Sequence, residues 1–282
     1  MRVTSVDLVM DEIKPINIGL RQPPDTDKYL AKSFFGLDAQ EIIPKFYGKG
    51  LSTGRKFYDF ASSKREIVMR IVLNPNYVLN ERASDLRDDL YRSISANRNG
   101  EVKVVLRNGA TSIAQIFGMI TKFEVAHFSK VQELQLTILC RDDAIFRSIT
   151  DVELDAGDLG SAIPYEITDG LSTCPHGMFM EFEVHSTVDT IYIQDKETDP
   201  DWKFELVFPL DFLDNDIIQI SSNHNDKYVK LIRGGSELAI ANSVSAGSLW
   251  PMMFPRTNTY YTNPIGEITL NEFSYKPAYW GI

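Results

Sequence analysis

The chain has 282 residues and a mass of 32.0 kDa, enough for about two domains, and its 43% hydrophobic, 24% charged and 11% aromatic residues exclude a disordered, collagenous or coiled-coil protein. Net charge is −10 but uneven: residues 1–150 carry 22 Lys and Arg against 18 Asp and Glu, while residues 151–282 carry 7 against 21. A second half at −14 repels phosphate, which argues against base-reading of nucleic acid and against anionic membrane surfaces. No run approaches the ~18 apolar residues of a membrane span, and the opening Met1–Asp7 meets an acid too early for the apolar core of an export signal. The two cysteines, Cys140 and Cys174, are too few for a disulfide framework and read as small buried thiols.

In chain order, Val3, Val6, Leu8 and Met10 predict an opening strand. Breakers then crowd the chain: Pro15, Gly19, Pro23-Pro24, Gly36, Pro44, Gly48, Gly50 and Gly54. Residues 20–60 are accordingly expected to form a long arm, with Phe34-Phe35, Ile42-Ile43 and Phe46-Tyr47 as apolar anchors. Ile67, Met69, Ile71 and Leu73 alternate as in a strand that stops at Asn74-Pro75. Asn80 reads as the N-cap of a helix whose Ala83, Leu86, Leu90, Tyr91 and Ile94 share one face, and Leu86, Leu90 and Tyr91 should hold it on a sheet. Val102, Val104 and Leu106 lead to Asn108-Gly109, the preferred pair of a type I′ hairpin turn. Two further strands follow, Ile113–Gly118 and Met119–Val125, and then Leu134, Leu136, Ile138 and Cys140 alternate in another.

Asp155–Gly160 breaks every pattern and marks a boundary near 148–165. Beyond it, strand-like runs recur at Phe179–Val184, Thr190–Gln194, Trp202–Phe208, Ile217–Ser221, Tyr228–Arg233, Glu237–Ala241, Leu249–Phe254 and Ile265–Phe273, with Gly234-Gly235 as a two-residue hairpin. The expected fold is mainly β: residues 1–150 form an N-terminal β domain with one packed helix and an arm, and residues 151–282 form a C-terminal antiparallel β-sandwich.

Reactive motifs are absent. There is no Gly-x-Ser-x-Gly, and Gly48–Lys56 lacks the Lys-Ser/Thr step of a phosphate loop. His127, His176, His185 and His224 are scattered, and Cys174-Pro175-His176 with His185 matches no zinc spacing. Asp211, Asp214 and Asp216, or the acids of Asp195–Asp201, lack the alternation of a calcium loop. Trp202, Trp250, Tyr260, Tyr261, Tyr279 and Trp280 could stack on sugars but sit at core spacing. No catalytic, cofactor-binding or metal-ligating residue is assigned, and no enzyme or cofactor is expected.

The order of these elements and several local sequences resemble the phage distal tail protein (Dit) family over about residues 60–282. The residues that carry the likeness are Ile67-Val68-Met69-Arg70-Ile71 leading through Asn80 to Leu86-Arg87-Asp88-Asp89-Leu90-Tyr91, then Gly100-Glu101-Val102-Lys103-Val104 with Asn108-Gly109, and Gln135–Phe146. In the second half they are Asp216-Ile217-Ile218-Gln219-Ile220, Lys227-Tyr228-Val229, Ser248-Leu249-Trp250-Pro251 and Tyr275–Ile282.

The resemblance implies a virion protein of a long-tailed bacteriophage, made in the host cytoplasm and built into the tail tip or baseplate. It implies a homo-hexamer ringed through the N-terminal domain that meets the tail tube protein above and a baseplate hub or tail fibre protein below, with tape measure or receptor-binding proteins as further partners. DNA would pass through the lumen without sequence-specific contact and without membrane insertion. The sandwich would be galectin-like and project outward, its terminal strand after Gly266 either staying there or returning to the first domain. The sugar-reading His, Asn, Arg and Trp-Gly-x-Glu of true galectins are missing; Asn225 beside His224 and Trp280-Gly281-Ile282 do not restore them. The alternative reading is a carbohydrate-binding module that contacts host-surface glycans.

Overall fold

The computed structural model describes residues 3–10, 14–20, 27–39, 42–47, 56–62, 64–97, 100–125, 132–140, 145–155, 164–194, 203–223 and 226–282. The chain divides into two compact units, Met1–Ile149 with Tyr279–Ile282, and Thr150–Ala278.

The first unit contains β1 (Ser5–Val9), β2 (Ile16–Gly19), β3 (Tyr29–Phe35), β4 (Ile42–Tyr47), β5 (Lys56–Ser62), β6 (Glu66–Leu73), α1 (Ala83–Ala96), β7 (Glu101–Asn108), β8 (Thr111–Val125), β9 (Glu133–Cys140) and β10 (Phe146–Ser148). Its main sheet runs β8-β7-β1-β2-β3-β6-β9, and a second pairing of β8 with β9 closes these seven strands into a barrel. Within it only β2 and β3 run parallel, joined at Gly19 and Leu30. Alternation explains the wall: Ile67, Met69, Ile71 and Leu73 of β6 point into one core with Val6, Leu8, Val102, Val104, Leu106, Leu134 and Ile138, while Glu66 and Arg70 point out. Leu86 and Leu90 bring α1 onto the same core.

Five expectations change here. Phe34 and Phe35 are not arm anchors but lie in β3, opposite Met69 and Val68 of β6. The breaker Gly36 ends that strand at φ +94°, where a Cβ would lie 2.3 Å from the Glu66 carbonyl oxygen, so it is a close-approach residue and not a loop signal. What remains of the expected arm is the β4–β5 ladder, with Ile42 opposite Ser62; residues 21–26, 40–41 and 48–55 lie outside the described residues.

The helix does not start from Asn80. Asn76 accepts from the Val78 and Leu79 amides and opens a 3-10 turn, Tyr77–Leu79, that Asn80 closes in the left-handed region. Asparagine tolerates that conformation, so the second Asn ends one element and does not begin the next; Arg82 is the N-cap, its N–H donating to Asp85 Oδ2. The hairpin after β7 places positive φ at Gly109 and not at Asn108, the type II′ pattern, with Asn108 opposite Thr111. Finally, the return strand is one 15-residue element, β8, not two. The expected division after Gly118 falls where β8 passes from β7 to β9, and a Cβ there would meet Ile138 Cγ2 at 2.6 Å and Leu139 O at 2.7 Å.

The second unit contains β11 (Val152–Asp155), β12 (Tyr165–Thr168), β13 (Met178–Val184), β14 (Val188–Gln194), β15 (Lys203–Phe212), β16 (Ile217–Asn223), β17 (Asp226–Arg233), β18 (Ser236–Ala239), β19 (Thr257–Asn263), β20 (Ile268–Tyr275) and the first residue of β21 (Ala278–Tyr279). A six-stranded sheet, β11-β20-β13-β16-β17-β18, and a four-stranded sheet, β12-β19-β14-β15, share one core built on Phe182, Phe204, Phe212, Tyr260 and Phe273. Every pairing in both sheets is antiparallel. Gly234 and Gly235 take φ +57° and +78° between Arg233 and Ser236, the type I′ turn that their sequence predicts.

The expected strand Leu249–Phe254 is absent; Met253 is buried through a single bridge to His176, and Trp250 packs on Phe204. Conversely, the separator Thr257-Asn258 begins β19, whose residues Asn258, Thr259 and Tyr260 are all buried. Its sequence, TNTYYTN, buries polar Asn258 and Thr259 beside Tyr260, so no apolar–polar alternation marks the strand. The chain then leaves this unit: Ile282 N–H donates to Leu37 O, and Trp280 O accepts from Arg65.

Leu90 sits at 2% exposure under α1, so Leu90→Asp should destabilise the first unit by on the order of 4 kcal/mol. Calorimetry of the full chain should show one transition displaced downward and the second unit's transition unmoved; two unmoved transitions would mean the helix face is wrong.

Candidate assembly surfaces

The helix meets the barrel through both packing and polar contacts. Tyr91, partly exposed, sets its ring edge-on to Phe123 at 4.7 Å, and Tyr29 donates to the Leu86 carbonyl at 3.3 Å. Burial, with the nearby charges of Asp89 and Glu81, pushes the Tyr29 phenol up to about 12, so it stays a donor across the working range. The outer surface of α1 carries the surface pairs Arg87–Asp88 and Arg92–Asp89, which contribute little energy.

Arg65, just before β6, is 3% exposed and was not singled out by its sequence. Its guanidinium donates to the carbonyls of Gly36 (2.6 Å), Asp38 (2.8 Å) and Trp280, and lies 4.7 Å over the Phe146 ring. Gly281 passes so close that a Cβ would be 2.5 Å from the Ala39 amide nitrogen. Arg65 thereby ties the segment after β3 to Tyr279–Ile282. Cys140 lies nearby, its thiol pushed up to about 11 by burial against a smaller opposing pull from Arg65.

Two features of the first unit are solvent-facing, one of them apolar. The turn Tyr77–Leu79 presents three consecutive apolar side chains at 76%, 90% and 76% exposure. It is held stiffly: Asn76 accepts from two of its amides, the Asn76 N–H donates to Glu81 Oε2 at 3.0 Å, and Glu81 pairs with Lys28 at 2.6 Å. A cavity of about 350 Å³ opens elsewhere, walled by Val3, Leu20, Ala31, Phe34, Leu37 and Ile282 beside Lys32 and Ser33. The Ser33 hydroxyl is shielded from solvent and makes no hydrogen bond. A signal for the turn existed in the apolar trio bracketed by Asn76 and Asn80; none existed for a cavity whose walls come from both ends of the chain.

The chemical candidates of the second unit do not converge. His176 directs Nδ1 to the Cys174 carbonyl at 3.2 Å and Nε2 toward Asp169 at 3.7 Å, whereas His185 bonds Thr269 at 2.8 Å. Asp216 is buried and chelated by Arg233 at 2.6–3.1 Å, an ion pair that raises the arginine above its ordinary range. Among the described residues no three His, Cys, Asp or Glu side chains gather as for a metal ion. Of the aromatic candidates, Tyr260 is core and Trp250 packs on Phe204. His127, Asp195–Asp201, Trp202, His224 and Asn225 lie outside the described residues.

On the six-stranded sheet, Glu181 and Glu272 stand directly opposite across β13 and β20, with Glu153 on the neighbouring β11. Burial first, then these two like charges, raise the Glu272 carboxyl above its ordinary range.

No protein-family model matches the sequence, and no curated protein matches it. The solved structures do. The crystal structure of Dit (gp 19.1) from phage SPP1, described as a paradigm of the hub adsorption apparatus in phages that infect Gram-positive bacteria, superposes over 97% of this chain and 98% of that one, with a TM-score of 0.64 and 11% identity. The chain shares the Dit fold. Proteins of the phage p2 baseplate in its activated conformation, with strontium or with calcium, also align over 96% and 97% of this chain, at 9% identity and a TM-score of 0.41.

Glu272 is more readily protonated in the folded chain than in the unfolded one, so its ionisation weakens folding as pH rises through the folded value. Glu272→Gln should therefore raise the second unit's melting temperature at pH 7, and the gain should shrink on acidification below the carboxylate range. Melting curves between pH 3.5 and 7.5 check this; a gain independent of pH would place the strain elsewhere.

Proposed function

We propose that this chain is a structural component of a phage tail tip or baseplate, a hexameric ring that joins the tail tube to the hub or tail fibre and leaves a lumen for DNA. The observation that carries the reading is the Dit fold extending over nearly the whole of both chains, 97% and 98%. A fold kept through both units at 11% identity is what conserved assembly geometry, not a conserved reactive pocket, would leave behind.

Three features of the chain support it. The β8–β9 pairing closes seven strands into a barrel, a frame on which the turn Tyr77–Leu79 is exposed. A first unit near charge balance can pack against copies of itself, and a second unit rich in acid is suited to the periphery, where six copies stand apart. The role needs no catalysis and no cofactor. The second unit, with two sheets on one core, is assigned the galectin-like outward position, with tape measure or receptor-binding proteins as further contacts. A glycan-binding role has less behind it, because Tyr260 is core and Trp250 is half-buried against Phe204.

Multi-angle light scattering at neutral pH should give a stable particle of about six times the 32.0 kDa chain mass, and negative-stain images should show a ring with a central opening. A chain that stays monomeric at high concentration while its melting temperature responds to oligosaccharide would favour the glycan reading instead.

A further inference from the structure

The ring of His176 lies between two groups that only accept hydrogen bonds, and we propose that it is held as a buried imidazolium on Asp169, a proton-dependent latch on the loop that grips Ala278. Nothing in this rests on how copies of the chain assemble.

The loop is built around one carboxylate. Asp169 is buried; its Oδ1 accepts from the Leu171 and Ser172 amides, each at 3.0 Å, and its own N–H donates to the Arg256 carbonyl at 3.0 Å. The turn so made sets Ser172 Oγ to accept from the Ala278 amide at 3.0 Å, and the Thr173 amide to donate to the Ala278 carbonyl at 2.9 Å. Ala278 is the last residue of the second unit, and the loop holds both of its backbone groups. His176 closes the loop by exchanging backbone hydrogen bonds with Met253, at 3.0 and 2.9 Å.

Asp169 Oδ2 is the atom the turn leaves over. It is shielded from solvent, makes no hydrogen bond, and faces His176 Nε2 at 3.7 Å, within ion-pair range. The other ring nitrogen, Nδ1, lies 3.2 Å from the Cys174 carbonyl oxygen. A neutral imidazole has one N–H, so it serves one of these acceptors and turns a lone pair on the other. An imidazolium serves both. Because Oδ1 already takes two amide N–H groups, as an ionised carboxylate does, the proton belongs to the ring and not to the acid. A buried carboxylate without a counter-charge is costly, and among the described residues His176 is the cation that meets this one. The other titratable groups packed here are the Cys174 thiol on the loop itself, Tyr275 of β20 with its ring 5.3 Å away, Tyr260 of β19, which donates to the Met252 carbonyl, and Arg256. Of these only Arg256 is ordinarily charged at neutral pH, and its guanidinium lies over the Phe254 ring. A histidine that meets a buried carboxylate on folding holds its proton more tightly folded than unfolded. Its contribution is whole below the unfolded histidine value of about 6.5 and is lost as pH rises through the folded value. Deprotonation sets a lone pair against Oδ2, and the grip on Ala278 loosens from the carboxylate that organises it.

The test uses the full chain in whatever assembly it forms. Exchange of the imidazole C2 hydrogen, read by mass spectrometry between pH 5 and 9, titrates each histidine separately. In the wild type His176 should titrate above the ordinary histidine value of about 6.5. Asp169→Asn keeps an oxygen for the two turn amides and offers an N–H to Nε2, so it should bring the midpoint below that value. The second unit's melting temperature should fall between pH 6.5 and 9 in the wild type, and Asp169→Asn should lose most of that fall. Should Asp169→Asn fail to fold, His176→Gln carries the same question, because its amide has no proton to lose in this range and the alkaline fall should vanish. A wild-type midpoint at or below the ordinary value overturns the imidazolium. A raised midpoint that survives Asp169→Asn, or an alkaline fall that survives His176→Gln, overturns the latch.

Discussion

The first unit depends on the ladder between β8 and β9. Through its first nine residues β8 pairs with β7, and from Gly118 onward it pairs with β9, which returns to β6. That double use of one long strand turns an open sheet into a barrel, and it requires the two backbones to approach more closely at Gly118 than any side chain permits. With the ladder in place the inward faces of the strands bury one another in one core. Without it, β8 and β9 would each present unpaired amides and carbonyls.

Because that frame is closed, whatever projects from it is positioned. The helix is pinned by Leu86 and Leu90, the segment after β3 by the buried Arg65, and the turn Tyr77–Leu79 by two asparagines and a glutamate. The second unit shows a different physics. Its core is made of large aromatics between two sheets, while its surface sets carboxylates against each other at Glu181 and Glu272. Such repulsion is tolerable where water and distance screen it, and it would be severe against a second acidic surface.

Much of this fold was legible because period-two alternation survives wherever one face of a strand is wet: β6, β7, β9, β13 and β16 all read cleanly from the sequence. The reading failed where a residue's usual meaning was overridden by its neighbours in space. Gly36 looked like a breaker and is a close-approach site just after β3, Gly118 divided two expected strands and is a close-approach site inside β8, Phe34-Phe35 lost its strand identity among breakers, and β19 is buried on both faces without being apolar. The helix face was readable at Leu86 and Leu90 for the complementary reason, a period of 3.6. The long-range features of the first unit were mostly not readable. Arg65 earns its role from carbonyls 27, 29 and 215 residues away, and the cavity joins Val3 to Ile282; no local pattern encodes either.

One topological detail carries further. The segment Tyr279–Ile282 belongs with the barrel, and β21 lies beside β10, the last strand before the chain departs for Thr150. The whole of Thr150–Ala278 is therefore a guest spliced into a host, and its two splice points are neighbouring strands. A guest whose two ends are neighbouring strands can lengthen, shrink or be exchanged while the host barrel keeps its own closure.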